Sequence, residues 1–316
     1  MAEPLTPLPT PPRDRRPLLG YAMVWTAAIL FAVNGTVSKV ILSSGISSVE
    51  LTQIRSTGAF VGFALVVLLT APRRFRVGRR ELRFLIVFGV TGVAFVQWLY
   101  FVSIHRLPIG IALLIQYVAP LLVALFVRLV LGRKVRRRIW VALALALAGL
   151  GLVVEVWSTG LQLDAVGLAA ALGGAVAYAA YILIAEYGVR RRDPVSLSAY
   201  GFGFAALFWL VVRPPWLFPA DRVDDSVSLL GNLERFEAPV WLLLLFVVVV
   251  GTMITFGLVV TALRHLPATR VGIVAMLEPV VASVVAWAWL GESLGAWQLA
   301  GGSVVLAGIL LAQTAR

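Results

Sequence analysis

Ten apolar runs, each about 20 residues long, take up almost the whole chain and are separated by short polar connections. A run of that length spans the hydrocarbon core of a bilayer when helical, because each residue adds about 1.5 Å to a path of about 30 Å. In lipid every backbone N–H and C=O must be satisfied internally, and a helix does this within its own segment. The fold class that follows is an all-α polytopic membrane protein with ten transmembrane helices. The spans are predicted at 18–42, 49–70, 82–104, 108–131, 139–157, 166–188, 195–213, 240–263, 268–290 and 295–314. With 60% hydrophobic and 13% charged residues, no sizeable soluble domain remains once the spans are removed. Residues 1–17, MAEPLTPLPTPPRDRRP, are proline-rich and then basic, which predicts a disordered cytoplasmic tail. The arginines come too late, and the next apolar run is too long, for a cleaved signal peptide.

The net charge of +12 raises the question of a nucleic-acid partner, and the placement of the basic residues answers it. Twenty of the 27 lysines and arginines fall on one side of the predicted topology. Four fall on the other (Arg106, Arg213, Arg222 and Arg235) and three within spans (Lys39, Arg55 and Arg128). That asymmetry is the positive-inside signal of a membrane protein and involves no polyanion. It predicts both termini in the cytoplasm. The chain has no cysteine, which excludes disulfides, thiolate metal sites and cysteine nucleophiles.

The chain also repeats itself. Leu107-Pro108 matches Leu266-Pro267, Pro120 matches Pro279, Gly132 matches Gly291 and Gly149 matches Gly308, each at an offset of 159. Gly20 against Gly167 and Leu51 against Leu197 indicate an offset near 147 for the earlier spans. The extra residues lie in the long connection 214–239, which contains Trp216, Phe218 and Phe236 and is expected to be either an outer lid or a plain loop. The first repeat is assigned to 18–157 and the second to 166–314. Five spans per repeat is an odd number, so the second copy enters the membrane from the opposite side. In such inverted repeats the substrate site lies near the bilayer midplane between the copies.

Leu277-Glu278-Pro279, followed by an apolar run and Leu290-Gly291-Glu292, resembles the end of the EamA-type domain of the drug/metabolite transporter superfamily. The first half resembles the same domain through Asn34, Lys39, Arg55 and Ala119-Pro120, and the resemblance runs from Leu18 onward. It departs at Phe31-Ala32, where the family often shows Trp-Gly, and at Leu131-Gly132-Arg133, which lacks the Gly-Glu of the second copy. The resemblance implies a ten-helix inner-membrane carrier of small metabolites, often an exporter of amino acids or related compounds, and no enzymatic activity.

Glu278 is the leading candidate site residue. An ionised carboxylate at mid-span costs about 2.5–3.5 kcal/mol on insertion scales, so it needs a partner, water or a proton. It is expected to line a central cavity, to bind substrate and, as its surroundings change between inward- and outward-open states, to couple a proton. Pro120 and Pro279 each remove one helix hydrogen bond, leaving the carbonyls of Gln116 and Ala275 without their usual donors, and are expected to kink spans four and nine as hinges. Asn34, Gln97, Trp98, Tyr100, Gln116, Tyr117, Tyr178, Tyr181, Thr252 and Thr255 are the polar and aromatic candidates for substrate binding, as a small-molecule cavity requires. Interhelical hydrogen bonding is the competing explanation for them. Lys39 and Arg55 are charged residues within the membrane that attract a substrate carboxylate, pair with an acid or snorkel, with Glu50 or a helix end the expected partner of Arg55.

Ala144 with Ala148 and Gly308 with Ala312 are small residues at packing distance that suit either the bundle interior or a homodimer face. His105 and His265 stand apart and make no metal site, and no cofactor is expected. Without a Walker A loop, direct ATP drive is not expected. An intramembrane or lipid-modifying enzyme would need a convergent nucleophile or metal, and a channel would need a polar stripe along several spans. Only Glu278 rises above background for the first and the polar residues cluster near the midplane, against the second, so both stand as the alternative readings. The expected function is a secondary active transporter of small polar metabolites working by alternating access, with the lipid bilayer and a small-molecule substrate as its partners.

Overall fold

The computed structural model describes residues 15–104, 106, 107, 109–157, 164–214, 216 and 218–314. His105, Pro108, Arg316 and residues 1–14 of the tail lie outside the described residues. Helices follow the predicted spans closely. Span one is Pro17–Ser43 and span two Ser48–Thr70. Span three runs through Arg79–Val87, a π-helical turn Phe88–Ala94 and Phe95–Ile104. Span four is Ile109–Gln116 and Ala119–Leu129, and span five is Arg137–Val153. Span six is Ala165–Gly188 and span seven Pro194–Val212. Span eight runs through Val240–Val248, the π-helical turn Val249–Ile254 and Thr255–Ala262. Span nine is Ala268–Ala275, Leu277–Val285 and the π-helical turn Ala286–Leu290, and span ten is Ala296–Thr314. Among the described residues nine of these are long and apolar enough to cross a bilayer at a minimum of 18 residues. Span five has 17 and is the tenth.

The ends are set by local chemistry. Ser47 and Glu50 form a reciprocal capping box at the start of span two. Asp193 caps span seven through the Ser196 amide, with Pro194 at its first position. Asp164 caps span six, and its bond from the Gly167 amide holds its carboxyl below the usual range. Gly132 and Gly291 take φ of +63° and +71°, the left-handed conformation that lets the chain turn away after spans four and nine.

The packing shows the repeat as a pseudo-twofold. Span one packs on spans eight and nine, and span six packs correspondingly on spans three and four. Spans two and seven pack on each other, as do five and ten and also four and nine. Individual contacts obey the sequence offsets. A Cβ on Gly20 would stand 2.7 Å from Leu266 Cγ, and one on Gly167 would stand 2.9 Å from Leu107 Cγ. Gln53 Nε2 donates to the Arg213 carbonyl at 2.8 Å, and Tyr200, 147 positions later, donates its hydroxyl to the Phe75 carbonyl at 2.9 Å. Spans two and seven are therefore stapled to each other at both membrane faces. The arginine-rich face adds Arg192–Glu81 at 2.7 Å and Arg74–Asp193 at 3.4 Å, and the opposite face adds Arg213–Glu50.

The long connection is neither a bare loop nor a free lid. Ser226–Ser228 and Glu237–Pro239 pair as an antiparallel hairpin. It docks through Trp289 Nε1 on the Leu229 carbonyl at 2.8 Å, Asn232 Nδ2 on the Ala288 carbonyl at 3.2 Å and Arg222 Nη1 on the Ser44 carbonyl at 2.7 Å. Phe218 packs into its apolar base, whereas Trp216 is left exposed.

Spans five and ten meet at bare backbone. A Cβ on Gly149 would stand 2.7 Å from the Gly301 carbonyl oxygen, and one on Gly308 would stand 2.8 Å from that of Ala142. Gly308 and Ala312 thus serve packing inside the bundle, while Ala144 and Ala148 face outward. Gly149→Leu should cost more than about 3 kcal/mol, being an overpacking that backbone cannot relieve. Gly151→Leu, with nothing within 4 Å of its Cβ position, should stay within about 0.5 kcal/mol. Reversible unfolding in mixed micelles reads the difference, and equal effects would contradict the packing.

Candidate functional site

Spans four and nine are interrupted at matching places. The helix stops at Gln116 and restarts at Ala119, and it stops at Ala275 and restarts at Leu277. Each stop lies four residues before a proline, Pro120 or Pro279, where the ring removes the amide that would have closed the turn. The interruptions meet, for a Cβ on Gly272 would stand 3.1 Å from Pro120 Cβ. Tyr117 sits in the first interruption and Glu278 just after the second. The Tyr117 hydroxyl donates to Glu278 Oε2 at 2.7 Å, a bond that joins the two repeats at mid-depth.

Arg55, Tyr100, Tyr117 and Tyr178 are all near enough to Glu278 to interact with it electrostatically. The pairing of Arg55 with Glu50 expected from the sequence is not made. Arg213 takes Glu50 instead, and Arg55 Nε donates to Thr252 Oγ1 at 3.0 Å. Arg55 and Glu278 face each other without closing an ion pair within 4.0 Å, and neither takes part in the ion pairs found among the described residues. Arg55, Gln97, Tyr100, Gln116, Tyr178 and Glu278 are all half-buried although they lie deep within the bundle. Arg55, Tyr100 and Tyr178 thus gather around Glu278 in the interior of the bundle.

Span eight positions its share through the π-helical turn. Thr252 and Thr255 return their hydroxyls to the carbonyls of Val247 and Val250 five residues back, at 2.7 and 2.6 Å. This bonding turns Thr252 toward Arg55, while Thr255 is fully buried and satisfied in the wall. Gly251 lets Asn34 of span one pack directly on the turn, since a Cβ there would collide with the Asn34 amide. The equivalent pair in the other repeat is Gly92 with Tyr181. π-Helical turns of this kind often mark functional places in helices.

A closed aromatic layer lies on the arginine-rich side of the cluster. Tyr181 stacks on Phe88 at 5.5 Å and on Tyr178 at 6.2 Å, and meets Phe256 edge-on at 6.1 Å. Phe256 in turn meets Phe31 at 5.2 Å and Phe202 at 5.1 Å. Such pairs contribute about 0.5–1.5 kcal/mol each beyond their burial, and Phe88, Tyr181 and Phe202 are at most 3% exposed. Toward the opposite face, by contrast, the apolar core divides. One cluster belongs to spans one, two and eight with the hairpin, and another to Leu107, Ile111, Ala112 and Ala171 of spans four and six with the residues leading into span four.

Besides Thr255, three candidates fall outside the cluster. Trp98 stands about 160° around span three from Tyr100 and is 44% exposed, so it faces outward. Lys39 pairs at 3.0 Å with Glu292 on the outer rim, both side chains more than half exposed. Tyr181 belongs to the aromatic layer. Sequence reasoning missed Phe31, Phe88, Phe202 and Phe256, whose only signal was apolarity. Glu186, near the arginine-rich end of span six, binds Arg190 at 2.8 Å and accepts the Ala268 amide that begins span nine. His265 accepts a hydrogen bond from the Arg16 amide, and the described residues hold no metal-binding cluster.

Spin labels test this placement. A label on Trp98→Cys should relax with lipid-soluble oxygen, and one on Tyr100→Cys with a water-soluble nickel chelate. The same accessibility at both positions would contradict a lumen on one side of span three.

Comparison with known proteins agrees with this architecture. The EamA-like transporter family model matches residues 18–155 and again 165–314. The threonine/homoserine exporter RhtA of Escherichia coli K12 is 28% identical over 243 residues, covering 76% of this chain and 74% of the relative. An uncharacterized transporter of Archaeoglobus fulgidus is 28% identical over 298 residues, covering 93% of this chain and 96% of the relative. A solved crystal structure aligns with a TM-score of 0.75 at 16% identity over 93% of this chain and 96% of its own, which speaks for the fold alone. The chain is a multi-pass membrane transporter, not an enzyme, and it belongs to the EamA-like transporter family.

Proposed function

We propose that the protein is a secondary carrier that exports small polar metabolites, amino acids or related compounds, across a bacterial-type inner membrane by alternating access. The observation that carries this reading is the Tyr117–Glu278 bond, which joins the inverted repeats at mid-depth where half-buried polar groups converge. A site shared between inverted repeats is placed to be served from each face in turn. The divided core on the hairpin side and the aromatic layer on the other favour a conformation with access from the hairpin face. With the arginine-rich face in the cytoplasm, as the positive-inside rule places it, that access is from outside. Pro120 and Pro279 are the hinges about which spans four and nine bend. The similarity to a threonine/homoserine exporter supports an amino-acid substrate and the outward direction.

Counterflow in proteoliposomes tests the reading. Unlabelled amino acid on the trans side should accelerate entry of the labelled compound several-fold, because only an alternately exposed site exchanges. Glu278→Gln should lower the exchange rate about 10- to 100-fold, as expected when a charge-assisted contact of about 1.5–3 kcal/mol is lost. Labelled entry indifferent to trans solute would indicate a pore, and an unchanged Glu278→Gln rate would remove Glu278 from the site.

A further inference from the structure

Among the described residues, Arg55 and Glu278 are the only charges lying about two turns or deeper within the spans. They have opposite signs, lie within electrostatic reach of each other and stay further apart than an ion pair. Each is held by one neutral partner on its own side. Thr252 accepts from Arg55 Nε, which leaves the other guanidinium nitrogens without a partner among the described residues. Tyr117 donates to Glu278 Oε2, and Oε1 has no partner among the described residues. A guanidinium offers paired donors suited to a carboxylate, and a carboxylate oxygen accepts from an ammonium. The free valences at the two poles are thus those of an anion receptor and a cation receptor.

Resting on the carrier reading above, we propose that Arg55 and Glu278 are the two poles of a site for a zwitterion. Arg55 takes the carboxylate and Glu278 the ammonium, so the transport cycle moves no net charge. The empty site carries one positive and one negative charge, and a zwitterion adds one of each. The membrane field therefore acts on no net charge in either the loaded or the empty limb. Arg55 is, on this account, a specificity-determining residue. The hydroxyls of Tyr100, Tyr117 and Tyr178 supply neutral hydrogen bonding around the poles without changing the sum.

Purified protein in proteoliposomes tests this with three competitors: an amino acid that drives counterflow, its decarboxylated amine, and its 2-hydroxy acid analogue. In the unmodified protein the amine and the acid should each compete at least about tenfold more weakly, as when a site's polar group is left unpaired. Arg55→Gln should weaken the amino acid to the level of the amine and leave the amine within twofold. Glu278→Gln should weaken it to the level of the acid and leave the acid within twofold. An imposed potassium diffusion potential should not change amino-acid accumulation by the unmodified protein, whereas one charge moved per cycle would change it about 50-fold per 100 mV. Net uptake should become potential-dependent with opposite signs in the two variants, which a merely structural role does not produce. Arg55→Lys keeps the charge and should restore indifference to the potential, which controls for folding.

An amine competing as well as the amino acid, or accumulation that follows the potential as in proton exchange, overturns the proposal. Counterflow of a non-zwitterion with none of amino acids overturns it too, while leaving the carrier in place. Counterflow of no solute at all sinks the carrier reading itself.

Discussion

A carboxylate in the middle of a membrane protein must be answered by something nearby, and much of this structure follows from how Glu278 is answered. The insertion cost of about 2.5–3.5 kcal/mol is met by a hydroxyl from the other repeat and a nearby guanidinium. A charge-assisted hydrogen bond contributes about 1.5–3 kcal/mol net, so the Tyr117 contact alone offsets much of it. The two interrupted spans then have a fixed crossing point, and the interruptions make room for it. A helix unbroken through Tyr117 and Glu278 would carry their side chains on a regular spiral and would not bring both to the same crossing.

Around that crossing the fold divides into parts that are tied and parts that are not. Spans two and seven are stapled at both faces by Gln53 and Tyr200, and spans five and ten are in backbone contact through Gly149, Gly301 and Gly308. Spans three, four, eight and nine each carry a π-helical turn or a proline break near mid-depth. The deformable points of the backbone are therefore gathered at the depth of the polar cluster.

The ten spans were legible because period and length suffice to find a membrane helix, and the constant 159 and 147 offsets reappear as real contacts, Gly20 with Leu266 and Gly167 with Leu107. The prolines, Glu278 and its tyrosines were legible because polar atoms in hydrocarbon are costly wherever they point. Direction was not legible. Trp98 and Tyr100 are two residues apart and look alike in sequence, yet one faces outward and the other the Glu278 cluster. Arg55 is expected from the sequence to pair with nearby Glu50, but Arg213, 163 positions away, holds that carboxylate. The π-helical turns left no readable mark, since an inserted residue alters facing without altering composition, and the aromatic layer was hidden among other apolar residues.

A double-mutant cycle on Tyr117→Phe and Glu278→Gln, read as unfolding free energy in mixed micelles, tests the central contact most directly. The account predicts a coupling energy of about 1–3 kcal/mol between the two positions. Effects that add within about 0.5 kcal/mol would mean that the two side chains do not depend on each other, contradicting a site built on their bond.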